Sequence, residues 1–102
     1  MTELEKKVAE LRAKYDAPVK KYYDAWRTMY SAMLGEEGEK YWKLVSIYDK
    51  LFPFKAHLEC SHVLTCMGAL DNDADDDTYD VWKNSYLTEL EKWKTEMEKI
   101  DI

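Results

Sequence analysis

The stretch Tyr79-Asp80-Val81-Trp82-Lys83-Asn84-Ser85-Tyr86-Leu87-Thr88-Glu89-Leu90-Glu91-Lys92-Trp93-Lys94-Thr95-Glu96-Met97-Glu98-Lys99-Ile100 carries a large apolar or aromatic side chain at every step of three or four residues: Tyr79, Trp82, Tyr86, Leu90, Trp93, Met97 and Ile100. At about 3.6 residues per turn this seam lasts more than five turns, so one face of an amphipathic helix must be buried against other helices. No segment shows the period-two alternation of a half-buried strand, and no internal repeat or Pro/Ser-rich linker divides the chain. The expected fold is all-α, a small bundle of about four helical segments in a single domain, residues 1–102.

Upstream, Leu4, Val8, Leu11, Tyr15, Pro18, Tyr22, Ala25, Met29 and Ala32 keep a four-and-three spacing that predicts a long first helix. A proline inside it removes a hydrogen bond and crowds the preceding turn, so a kink or restart is expected near Pro18, with Asp16 as N-cap of the restart. Gly35-Glu36-Glu37-Gly38 ends that helix and begins the next. Tyr41, Leu44, Val45, Tyr48, Leu51 and Phe52 mark the apolar face of a short second helix, which Phe52-Pro53 stops. A third, about Phe54 to Leu70, is expected to bury Ala56, Cys60, Val63, Met67 and Leu70. Asp71 to Asp77 reads as an acidic loop leading to the last helix, with Asp77 or Thr78 as its N-cap. Long outer helices around a short middle pair leave part of their seams uncovered, which predicts a homo-oligomer; the seam of the last helix is expected to face the first.

The charge balance narrows the partners. With 21 acidic against 15 basic residues, net charge −6 and a pI near 4.9, the chain is a poor ligand for nucleic acid or an anionic membrane and suits a basic protein. The charged start Met1-Thr2-Glu3-Leu4-Glu5-Lys6-Lys7 lacks the apolar core of a signal peptide, and no membrane span is present, so a cytoplasmic protein is expected. Cys60 and Cys66, about 9 Å apart along one helix, are too distant for a disulfide within it and are read as free thiols.

Sites of chemistry are weak. His57, Cys60, His62 and Cys66 fall in two pairs on nearly opposite sides of the third helix, so that helix alone cannot close a zinc site, and the expectation is no metal and no cofactor. Glu59-x-x-His62 is half of a carboxylate-bridged di-iron pattern whose other half would have to come from a second copy. The aspartate run lacks the glycine and the glutamate that a calcium loop requires at its sixth and twelfth positions, here Asp76 and Trp82. His62 and Cys66 form a thiolate–imidazole spacing with no third orienting residue, and the three glycines do not form a phosphate cradle, so no enzyme is expected.

The remaining signal is aromatic. Eight tyrosines are a costly choice for a small core, because each buried hydroxyl needs a partner, so some are expected at a surface. Tyr22, Tyr23, Trp26 and Tyr30 lie within about 100° of arc on the first helix, flanked by Lys20, Lys21 and Arg27. The reading is a non-enzymatic interaction module that sequesters or inhibits a protein partner through these aromatics and an acidic surface including Asp73, Asp75 and Asp76, which for a nucleic-acid-binding partner would imitate phosphate. Its length and acidity resemble those of small phage accessory proteins, although no motif carries that likeness. Two alternatives stand beside it: a binder of a planar anionic ligand such as a nucleotide, using Tyr23 and Trp26 with Lys20, Lys21 and Arg27, and a purely structural oligomer.

Overall fold

A computed structural model describes residues 2–72 and 77–100, with 77–79 described by backbone alone. Four helices follow one another: α1 Glu3–Leu34, α2 Gly38–Leu51, α3 Phe54–Asp71 and α4 Asp77–Glu98, with no strand among the described residues. Thr2 caps α1 by accepting the Glu5 amide at 3.1 Å, and Glu3 and Glu5 complement the positive end of the helix dipole. Between α1 and α2 the left-handed residue is Gly38, at φ +66°, a conformation that costs any side chain about 1–2 kcal/mol. The capping of α4 and residues 73–76, with Asp73, Asp75 and Asp76, lie outside the described residues.

The expected restart at Pro18 does not occur. α1 is one helix of 32 residues, about 48 Å at 1.5 Å per residue, in a molecule 55 Å long. Pro18 is solvent-exposed, so the carbonyl that loses its amide partner, that of Lys14, belongs to an equally exposed residue and is open to water. Asp16 is not a cap. Its carboxylate accepts from Arg12 Nε and from the Tyr86 hydroxyl, each at 2.8 Å, and so ties α1 to α4. Beyond the proline the buried line also leaves the expected register: Val19 and Met33 are buried while Pro18, Ala25 and Ala32 are exposed. A strict seven-residue repeat lags an ideal helix by about 20° per heptad, so over four heptads a helix presents the next residue to its neighbours.

Tyr22 meets Leu51 and Phe52, Trp26 meets Tyr48 and His57, and Cys60 meets Val19. α2 and α3 therefore run one after the other, antiparallel to α1. Their lengths of 14 and 18 residues, end to end, match the 32 of α1. α4 covers only the second of these two stretches. Its seam faces α3 first and α1 second, contrary to the expected α1–α4 pairing. The core of this three-helix part comprises Val8, Val19, Cys60, Val63, Cys66, Met67, Leu70, Tyr86, Leu90 and Trp93, and all five residues expected to be buried on α3 are buried. The C-terminal half of α1 and α2 extend from it as a two-helix arm, and α2 itself buries no residue.

No helix among the described residues is long and apolar enough to cross a membrane.

Candidate functional site

The aromatic cluster predicted from α1 assembles where the arm joins the bundle. Trp26 stacks on His57 with ring centroids 4.1 Å apart and planes 24° from parallel, and on Tyr30 at 5.4 Å and 17°. Tyr23 packs beside Trp26 at 5.6 Å. The polar ends of these rings are largely spent inside the protein: Trp26 Nε1 donates to the Tyr48 hydroxyl at 2.7 Å, and the Tyr22 hydroxyl donates to the Leu51 carbonyl at 2.6 Å. Burial, with Cys60 and Tyr48 nearby, raises the Tyr22 hydroxyl above its ordinary range, and burial lowers His57. These rings hold the arm on the bundle.

Exposure therefore falls elsewhere than expected. Tyr22, Tyr23 and Trp26 are half-buried, and of the four only Tyr30 is exposed, at 43%. The most exposed apolar side chains of the arm are Leu34 at 70% and Trp42 at 68%, with Ile47 also exposed; Phe54, at 79%, follows at the start of α3. At about 100° per residue, Tyr30 and Leu34 share one face of α1 near the α1–α2 turn, and Trp42 is exposed on α2 beyond that turn. Sequence reasoning passed over Trp42 and Leu34 because it did not show which half of α1 lacks a third helix.

Lys20 and Arg27 are exposed, and Arg27 borders a shallow depression with Asp24, Thr28 and Ser31 rather than the ring stack. Lys14 and Lys94 lie over the ring of Tyr15, at 5.3 and 4.9 Å. Asp73, Asp75 and Asp76 lie outside the described residues.

A second constellation sits on the far side of α3. His62 is one helical turn from Glu59, and α4 brings Glu89 to the same point: His62 Nδ1 is 3.6 Å from Glu59 Oε2 and 3.3 Å from Glu89 Oε2. The three groups are the described cluster whose ligand atoms all fall within 4.8 Å of one another. Glu59 is 7% exposed, and both Oε2 atoms are buried with no hydrogen-bond partner. Burial opposes ionisation of Glu89, yet the Glu59 carboxyl, Lys92 and His62 together hold it below the ordinary carboxylate range. Glu89 thus adds a third group from the same chain beside the Glu59-x-x-His62 pair, while the second Glu-x-x-His pair that a di-iron site needs is absent from the sequence. Nearby, Cys66 is buried, and burial with the Glu89 charge pushes its thiol up, away from the thiolate a nucleophile needs. Cys60 Sγ donates to the Val19 carbonyl at 3.6 Å, and both thiols are free.

Comparison with protein-family models, curated proteins and solved structures finds no match.

Proposed function

We propose that this chain is a non-enzymatic interaction module that pairs with a second copy through the α1–α2 arm and offers its acidic bundle to a basic protein partner. The observation that carries the reading is the arm itself, two helices thick, with Tyr30 and Leu34 exposed on α1, Trp42 and Ile47 exposed on α2, and no buried residue in α2. Two helices cannot bury both of their apolar flanks, whereas two such hairpins make a four-helix bundle. Charge favours a second copy as the occupant. From Ala25 to Phe52 the arm has four acidic and four basic residues, so it is neutral in a chain of net charge −6 and two arms meet without net repulsion between them.

The excess of negative charge belongs to the sequence outside Ala25 to Phe52, and a basic partner that reads it would bind more weakly as salt rises. The ring stack gives a nucleotide less support, because the faces of Tyr23 and Trp26 meet each other, His57 and Tyr30.

Sedimentation velocity over a range of concentrations tests the pairing. The native chain is expected to sediment as a dimer, and Trp42→Asp with Leu34→Asp as a monomer of unchanged helicity. A native chain that stays monomeric at high concentration, or a variant that still dimerises, would refute it.

A further inference from the structure

We propose that Glu59, His62 and Glu89 form a binding site for one divalent first-row metal ion, zinc being the best fit, which clamps α3 to α4. The argument starts from distances. His62 Nδ1 lies 3.3 and 3.6 Å from the two carboxylate oxygens, longer than the about 2.7–2.9 Å of a close charge-assisted hydrogen bond. These separations match the edge of a tetrahedron of ligands each about 2.0–2.2 Å from a central ion, which is about 3.3–3.6 Å. The buried oxygens point the same way. Glu59 is more than nine-tenths buried, and its Oε2, like Glu89 Oε2, has no well-formed hydrogen bond, the His62 ring standing 3.3–3.6 Å away, so that a cation between the three groups would satisfy both oxygens.

The outer oxygen of the α4 ligand is already engaged, since Lys92 Nζ lies 3.4 Å from Glu89 Oε1 and leaves Oε2 for the ion. One imidazole nitrogen and two carboxylate oxygens suit zinc, or manganese, iron and cobalt in their divalent states, better than magnesium or calcium, which prefer oxygen alone. A fourth position opens on a depression lined by Thr65, Cys66, Trp82 and Ser85, from which a water completes the shell. His62 is 48% exposed, so the ion has a path from solvent.

The test uses the full chain stripped with a chelator and titrated with zinc chloride, with magnesium chloride in parallel, followed by calorimetry and thermal unfolding. One zinc per chain is expected, with Tm raised by about 10 °C at a hundredfold excess over Kd and no shift from magnesium. His62→Ala and Glu89→Gln, both at positions open enough to leave the fold intact by circular dichroism, should each weaken binding at least tenfold, and Cys66→Ser should leave it unchanged. No heat and no Tm shift with zinc would overturn the proposal and mean that a proton, not a metal, reconciles the two carboxylates. Zinc binding that survives both ligand substitutions would overturn it equally.

Discussion

Replacing Asp16 separates the two roles open to it. As the cap of a restarted helix it would interact only with its own backbone; as the structure has it, one carboxylate oxygen takes the Tyr86 hydroxyl and the other takes Arg12, each at 2.8 Å. Tyr86 is fully buried, so Asp16→Ala strands its hydroxyl in the core, at a cost of about 1–3 kcal/mol. Loss of the partly exposed Arg12 pair adds up to about 1 kcal/mol, and the better helix propensity of alanine returns about 0.5 kcal/mol. The terms sum to about 0.5–3.5 kcal/mol, centred near 2 kcal/mol. Tyr86→Phe alone removes the same bond and should cost about 1–2 kcal/mol. In a double-mutant cycle by urea unfolding the two substitutions should couple by at least about 1 kcal/mol, and with a denaturant slope near 1–2 kcal/mol/M the Asp16→Ala midpoint should fall by about 1–2 M. Coupling within about 0.3 kcal/mol of zero would show that Asp16 acts locally and would refute the tie between α1 and α4.

Pro18→Ala should stabilise the protein by up to about 3 kcal/mol, because it restores an amide inside a continuous helix; a neutral or destabilising result in urea unfolding would mean that the helix restarts there. Gly38→Ala should lower stability by about 1–2 kcal/mol in the same assay through backbone strain alone, since nothing lies within 4 Å of the added methyl group; no loss would contradict the left-handed turn. Burial pushes the Cys60 thiol from 9.0 up to about 12, and a thiol held neutral in the fold gives stability that is complete below pH 9 and lost as pH rises toward 12. The urea midpoint should accordingly hold steady from pH 7 to 8.5 and fall above 9, with the raised Tyr22 and Tyr86 hydroxyls adding to the fall above 10; a midpoint unchanged at pH 11 would contradict the burial.

The seam from Tyr79 to Ile100 announced a helix with one buried face, and Tyr86, Leu90 and Trp93 do lie in the core. Spacing along one helix defines a face but not its partner. The sequence pattern therefore carried Ala56, Cys60, Val63, Met67 and Leu70 correctly to the core, yet paired α4 with α1 where α3 is its main neighbour. Register between helices has the same limit: Glu89 is 27 positions from His62, and only the antiparallel alignment of α3 and α4 brings them to 3.3 Å. The shift from Pro18 to Val19 was in principle legible, because the mismatch between 3.5 and 3.6 residues per turn accumulates over a helix of this length. What hid it was the regularity of the apolar spacing, in which exposed Ala25 and Ala32 look like core.

The most direct test of the paired arm is the distance between spin labels placed at Ser46→Cys, on the exposed side of α2, with the buried Cys60 and Cys66 left unlabelled. Helix axes in a four-helix bundle lie about 8–10 Å apart, so two arms packed together predict an intermolecular distance within about 30 Å. The contradicting result is dipolar decay from uniformly distributed labels, with no defined distance between copies.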